Sequence, residues 1–177
     1  MSVLSPDIEQ QNEEKLNRML YGVNPVKRLI SSLLITSDVL LIKPEIEIDV
    51  REILEGIYPK NTIKEFSFIS VKSFRDILAQ LWQAQQNGYK TWIFRYIDSI
   101  PDSPDHEAIE EMIRIGLKPE GFPFSDGEID FENTRILATC SNYPEYLAGK
   151  SIGAIVIDVP NEIEENIKEQ NSRPIHT

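Results

Sequence analysis

Cysteine and histidine, the side chains that most often bind metals or act as nucleophiles and bases, are nearly missing from this sequence. Among 177 residues there are one cysteine, Cys140, and two histidines, His106 and His176. A single cysteine excludes an intrachain disulfide framework and a multi-cysteine metal site. With no histidine near it along the chain, Cys140 is interpreted as a small core residue. His106 is interpreted as a surface residue at a helix start, and we expect neither a metal nor a cofactor.

Long hydrophobic runs and an excess of basic residues are also absent. No apolar run approaches the ~18 residues of a membrane span, and residues 1–7 lack the basic region and apolar core of a signal peptide. Lys and Arg total 18 against 29 Asp and Glu, so the net charge is −11. Since affinity for DNA and RNA comes largely from Lys and Arg, direct nucleic-acid binding is not expected. The sequence predicts an acidic cytoplasmic protein with no membrane contact.

Short apolar runs alternate with helical patterns along the chain. Five runs predict buried strands, at residues 39–42, 66–69, 92–97, 135–138 and 154–159. The segments between them carry apolar residues at helical spacing, for example over residues 50–57 with Asp49 as the cap. This alternation predicts an α/β fold, a three-layer α/β/α sandwich around a mostly parallel five-stranded sheet.

Two polar segments flank this predicted core. Residues 1–22 form a polar helix that Gly22 is expected to end, and a new helix is expected at Asn24 and Pro25. Residues 23–160 form the core, within which a further helix is predicted over 104–115. Ser125, Asp126 and Gly127 indicate a hairpin. Residues 161–177 form a polar C-terminal tail.

The stretch from Asp130 to Asn142, DFENTRILATCSN, resembles the sensor strand of the AAA+ ATPase module. In that module a strand with the Walker B acids, a helix and a loop or hairpin precede a strand that ends in a polar sensor Asn. By this resemblance Asn142 is the sensor-like residue, although Cys140 is inserted relative to the commonest spacing. Residues 21–28, followed by an apolar helix, are similar to the entry helix of the MoxR-like, magnesium-chelatase and minichromosome-maintenance branches. The resemblance implies a P-loop NTPase-like core in which the first strand precedes the phosphate loop.

The residues of the phosphate loop (Walker A) are replaced. A P-loop reads G-x-x-x-x-G-K-[ST], in which glycines let backbone N–H groups reach the phosphates, Lys neutralises them and the hydroxyl holds magnesium. Here the segment runs from Lys43 to Val50 without a glycine, and Ile48, Asp49 and Val50 stand at the second glycine, the lysine and the hydroxyl. Its three acids would lie beside a triphosphate, where each like-charge pair at about 4 Å costs about 4 kcal/mol at an effective dielectric near 20. ATP binding in the usual mode is therefore not expected.

The Walker B position is degenerate as well. Counting back from Asp98, the two catalytic acids are replaced by Arg95 and Tyr96. We expect Arg95 to form an ion pair with Asp98 or with the acids at 45–49. Residues 146–154 hold no arginine that could serve as an arginine finger, and the helical lid of the family is expected to be missing.

The segment from Glu45 to Val50 alternates polar and apolar residues, which fits a half-buried strand as well as a remodelled loop. In either form it would present an acidic surface suited to a basic partner.

The sequence thus predicts a catalytically inactive AAA+-like domain that acts through protein contacts, as an adaptor or regulatory subunit of an active AAA+ protein or a DNA-processing assembly. Two alternatives stay open. One is an enzyme of another class, with its site at the carboxyl ends of the strands. Its candidate residues are Asp98, Asp102, Thr139, Ser141 and Asn142. The other is an acidic DNA mimic that blocks a DNA-binding protein.

Overall fold

The chain folds as a sheet with helices on both faces. The structure, a computed structural model, describes residues 6–69, 74–99, 123–124, 127–129, 133–149 and 152–172. The α-helices are α1 (Pro6–Asn17), α2 (Asn24–Leu34), α3 (Val50–Glu55), α4 (Phe74–Gln86) and α5 (Val159–Ser172). The strands are β1 (Val39–Ile42), β2 (Ile63–Ser67), β3 (Thr91–Arg95), β4 (Pro123–Phe124), β5 (Gly127–Glu128), β6 (Arg135–Cys140) and β7 (Ile155–Asp158). Short 3₁₀ turns cover Lys60–Thr62, Ile97–Ser99 and Glu145–Leu147.

Five strands pair in parallel, in the order β2-β3-β6-β1-β7. The predicted α/β fold with a five-stranded, mostly parallel sheet is confirmed. The predicted hairpin is confirmed too, because β4 and β5 pair antiparallel. Strand β6 lies between β1 and β3, although β3 precedes it in the chain by about forty residues, an interval within the reach of a crossover connection.

Side chains of the strands alternate between two buried clusters, one on each face. On one face Leu41, Ile93 and Leu137 pack with residues of α2, α3 and α5. On the other face Leu40, Phe94 and Ala138 pack with residues of α4. Both clusters consist of buried side chains, most of them fully removed from water. Because both faces of the sheet are covered in this way, the strands are continuous apolar runs in the sequence.

The N-terminal helix does not end at Gly22. Helix α1 passes into a π-helical segment, Arg18–Val23, and then into α2 without a break. A Cβ atom at Gly22 would lie 2.6 Å from Cγ2 of Ile163 in α5. The glycine is therefore explained by the close approach of two helices, and the expected helix end at this position is wrong.

Helix α5 begins at Val159, and Pro160 lies in its first turn, where the missing N–H costs nothing. Its Val159 and Ile163 are buried. Part of the segment predicted as a polar tail thus contributes to the core, while the division of the chain at residues 22 and 160 stays a prediction.

Residues 45–47 form a turn, and the side chain of Ile46 is 93% exposed. The interpretation of 45–50 as a strand is therefore wrong: the segment is a loop that leads into α3, and its origin as a phosphate loop stays a prediction. The expected helix at 104–115 lies outside the described residues, as do Asp102, His106, Ser125, Asp126 and His176. Among the helices that are described, none is both long and apolar enough to cross a bilayer.

Candidate functional site

The turns after β1, β3 and β6 meet at one edge of the sheet. Because the three strands are parallel neighbours, Lys43, Tyr96 and Ser141, which directly follow them, lie at the same carboxyl edge. In open α/β sheets this edge is where ligands bind. It is also where the resemblance places the phosphate loop, the Walker B position and the sensor residue.

The loop after β1 is closed by its own hydrogen bonds. The N–H of Lys43 donates to the carbonyl of Cys140 at 2.8 Å. The N–H groups of Glu47 and Ile48 both donate to the carbonyl of Pro44, at 3.1 and 2.8 Å. Pro44 itself has no N–H to offer. Three of the amides in this segment, those of Lys43, Glu47 and Ile48, are thus already engaged.

The start of α3 is closed as well. Asp49 is its N-cap, and the carboxylate Oδ1 accepts from the N–H of Arg51 at 3.1 Å and of Glu52 at 3.2 Å. The predicted cap is confirmed. The N-terminus of a helix favours a negatively charged group, and here the carboxylate of Asp49 occupies that place.

Arg18, in the π-helical segment near the N-terminus, links this loop to α5 near the C-terminus. Its guanidinium donates to Glu47 Oε1, with Nε at 2.8 Å, and also contacts Glu164 of α5. Hydrogen bonds from Glu164 and then Glu47 raise the pKa of Arg18. The interaction fixes one of the three acids of the loop, and no feature of the local sequence pointed to it.

Arg95 pairs with a residue that the sequence analysis did not single out. Its Nη2 donates to Glu65 Oε1 of the neighbouring strand at 2.9 Å, and Arg51 Nη1 lies 3.4 Å from the same oxygen. The expected pairing with Asp98 or the 45–49 acids is therefore wrong. Burial acts to raise the pKa of Glu65, but the hydrogen bond and charge of Arg95, aided by Arg51, outweigh it and lower that pKa.

The loop after β1 and Arg95, at the end of β3, line one cavity of about 520 Å³. Of the seven positions predicted as site residues, the structure brings together Ile48, Asp49, Val50 and Arg95 along its lining. Lys43, Tyr96 and Asn142 do not line it. Two cations and four carboxylates face the cavity; they are Lys27, Arg95, Glu45, Glu47, Asp49 and Glu52. A polyanion such as a triphosphate would meet net negative charge there.

Asp98 ties the end of β3 to the turn after β6. Its Oδ2 accepts from the N–H groups of Ser141 and Asn142, at 3.2 and 3.1 Å. Its Oδ1 is buried and has no hydrogen-bond partner among the described residues. Asn142 contributes its backbone to this contact, and the residue is exposed.

Two residues at this edge have left-handed backbone conformations without being glycine: Lys43 with φ 52° and Tyr96 with φ 61°. The N–H of Tyr96 donates to the buried Thr139 hydroxyl at 3.3 Å. Conformations of this kind cost about 1–3 kcal/mol and persist where the surroundings impose them. Tyr96 thus follows the last residue of β3 in a backbone conformation that its surroundings impose.

Cys140 is buried, as predicted for a core residue. Burial, with smaller contributions from Asp98, Glu45 and Asp158, raises its pKa to about 12. Burial also raises the pKa of Tyr146, whose hydroxyl donates to the carbonyl of Ile97 at 2.5 Å. A thiol that stays protonated is a poor nucleophile.

No group of three potential ligand side chains suited to a metal ion occurs within the part of the chain that the structure describes. No family model matches the sequence, and no curated protein matches it significantly. The function is therefore argued from the site alone.

Several residues that form ion pairs and hydrogen bonds in the sheet were not predicted from the sequence. Glu65 and Asp38 are the main examples. Asp38 is buried, accepts from the N–H of Ile136 at 2.9 Å and lies 3.5 Å from Arg135 Nη1. The only sequence signal for Asp38 was its position directly before an apolar strand. That position does not predict that its partners are Arg135 and Ile136, almost a hundred residues away.

Proposed function

We propose that this chain is a catalytically inactive AAA+-like domain that acts through protein–protein contacts, as an adaptor or regulatory subunit. The observation that carries the proposal is the closed phosphate-loop position. The amides of Lys43, Glu47 and Ile48 are bonded to backbone carbonyls, and those of Arg51 and Glu52 to Asp49. A domain that keeps the scaffold and closes its phosphate site has lost the chemistry and can retain the surfaces.

The strand order supports the AAA+-like part of the proposal. A sensor residue must reach the nucleotide held between the phosphate loop and the Walker B acids. The strand that carries the sensor residue therefore has to lie between the strand that precedes the phosphate loop and the strand that carries the Walker B acids. Strand β6 lies between β1 and β3, as this requirement demands. We further propose a cytoplasmic location and a protein partner that is itself an active AAA+ protein.

The test of the inactive site is isothermal titration calorimetry with ATP and MgCl₂. We expect no saturable heat with a Kd below about 1 mM. The variant Asp49→Asn removes the negative charge and keeps a capping oxygen, and it too should fail to bind, because the loop amides remain engaged. Micromolar binding by the wild-type protein would contradict the proposal.

The test of the partner is affinity capture followed by mass spectrometry and reconstitution from purified components. An unrelated bait of similar size and net charge controls for charge-driven capture. A purified partner with intact Walker motifs that binds this chain at 1:1 stoichiometry, and whose ATPase rate changes on binding, is the expected result. If this chain left the ATPase rate of every purified binding partner unchanged, the proposed role as a regulatory subunit would be wrong.

One observation favours the alternative of an enzyme with its site at the strand ends. The buried Oδ1 of Asp98 has no described partner and lies where substrates of α/β proteins bind. A screen against chromogenic esters and phosphate esters, with Asp98→Asn beside the wild type, would favour the enzyme if turnover appeared and was lost in the variant.

A further inference from the structure

The 45–47 turn presents an apolar side chain between two acids at the carboxyl edge of the sheet. Ile46 is the most exposed large hydrophobic residue in the described part of the chain, at 93%. Glu45 is exposed and forms no ion pair with a described residue, whereas Glu47 is held by Arg18. We call residues 45–47 the acidic loop.

The opposite edge carries a cavity of about 450 Å³, which we call the basal cavity. An apolar wall is formed by Ile35, Tyr58 and Pro59, and two cations, Lys90 and Arg135, stand beside it. Arg135 and Thr91 begin β6 and β3, so the cavity lies at the starts of the strands. Lys90 forms no ion pair with a described residue, and the contacts of the Arg135 guanidinium with Asp38 and the Ile35 carbonyl are long, at 3.5 and 3.4 Å.

The two features are complementary in polarity and in charge. One offers an isoleucine flanked by carboxylates, and the other offers an apolar cavity flanked by an ammonium and a guanidinium. They lie at opposite edges of one parallel sheet, so a single molecule cannot bring them together. Ile35 is itself 64% exposed, which leaves the apolar wall accessible to a second molecule.

We propose that the basal cavity of one molecule binds the acidic loop of a second copy of this chain. Ile46 enters the cavity, and Glu45 meets Lys90 and Arg135 at its rim. The contact joins two different surfaces, so it is heterologous and leaves a free loop at one end and a free cavity at the other. Assembly then continues into a ring or a filament. The acidic loop belongs to the 43–50 segment and lines its cavity, so the contact is tested in the absence of nucleotide, and its failure would leave the proposal of an inactive site standing.

Sedimentation velocity of the full chain over a concentration series tests the contact. At low ionic strength the weight-average mass should rise with concentration and pass that of a dimer. In about 0.5 M NaCl it should fall toward the monomer, because exposed charges are screened beyond a few ångströms. A protein that stays monomeric at low salt up to its solubility limit overturns the proposal.

Three single variants locate the surfaces. Ile46→Ser, Glu45→Lys and Lys90→Glu each alter an exposed side chain, and each should weaken association about tenfold or more. The matched controls are Ile69→Ser, Glu13→Lys and Lys168→Glu, which make the same changes at exposed positions elsewhere and should leave association unchanged. Equal effects of variants and controls would show that assembly follows net charge or hydrophobicity alone and would overturn the assignment.

Mixing variants separates a head-to-tail contact from a symmetric one. Glu45→Lys and Lys90→Glu should each associate more weakly alone than their 1:1 mixture does, because in the mixture the intact loop of one variant meets the intact cavity of the other. The double variant Glu45→Lys/Lys90→Glu carries both changes in one chain, and its identical copies should associate with one another again. If neither the mixture nor the double variant recovers, these two side chains do not meet and the proposal fails.

Discussion

Asp49 caps the N-terminus of α3 with a negative charge and with two hydrogen bonds. The contributions of the charge and of the hydrogen bonds to stability can be measured separately. Asp49→Ala removes both and should lower the free energy of unfolding by about 1 kcal/mol, the usual value of an N-cap. Urea denaturation followed by circular dichroism measures it. Asp49→Asn keeps the cap without the charge and should stay within a few tenths of a kcal/mol of wild type. An alanine variant as stable as wild type would mean that the capping bonds contribute nothing to the fold.

The ion pair between Glu65 and Arg95 should make stability depend on pH in a defined direction. The pKa of Glu65 is lowered in the folded state, so its contribution is present above the unfolded pKa of about 4.3–4.5 and is lost as pH falls through the folded value. A double-mutant cycle with Glu65→Gln and Arg95→Met should give a coupling energy of up to about 1 kcal/mol near pH 7. The coupling should decline as the pH is lowered below the unfolded pKa of the carboxyl group. A coupling that is unchanged by acid would contradict the assignment.

Single residues were predictable from the sequence where their role is local. Asp49 caps the helix that follows it, and its partners are two and three residues away. Arg95 was predicted to form an ion pair, but its partner was not predicted, because Glu65 is brought beside it only by the parallel pairing of β2 with β3. The partners of Arg18 come from two segments that lie far away in the chain.

Gly22 marks the closest contact between the N-terminal helical run and α5. Gly22→Ala places a methyl group 2.6 Å from Cγ2 of Ile163, a β-branched side chain with little rotamer freedom in a helix. Overpacking of about 1–3 kcal/mol should exceed the gain of up to about 1 kcal/mol in helix propensity. Urea denaturation should therefore show a net loss of stability.

The matched control is Gly56→Ala after α3. Its φ is −76°, and the nearest atom to a new Cβ is a backbone oxygen at 3.4 Å. That variant should be neutral or more stable by up to about 1 kcal/mol. If the alanine at position 22 is tolerated as well as the alanine at 56, the two helices are not in tight contact.

Elements with a strong hydrophobic period were predictable, and those decided by tertiary contact were not. The strands β1, β3 and β6 and the helix α3 follow directly from runs and caps in the sequence. A glycine in a helical pattern usually signals an end, and only the partner helix shows that Gly22 permits close approach instead. The alternation in 45–50 is typical of a strand, but the segment cannot fold back and pair with the preceding strand, because β1 is already flanked by β6 and β7.

The molecule as a whole carries a net charge of −11, and this repulsion should be relieved by salt. We expect the thermal unfolding midpoint to rise by a few degrees between low salt and about 0.5 M NaCl. Differential scanning calorimetry at low protein concentration measures it with little self-association. A fall in the midpoint would mean that the exposed ion pairs of Arg18 and Arg51 outweigh the overall repulsion.

The position of β6 has a consequence for synthesis on the ribosome. Strand β1 consists of four apolar residues, and both of its neighbours, β6 and β7, begin at residue 135 or later. At roughly 5–20 residues per second, translation leaves β1 without a pairing partner for roughly 5–20 s. During that interval β2 and β3 are the only described strands of the five-stranded sheet that can pair, so the nascent chain exposes β1, which later becomes an inner strand of that sheet.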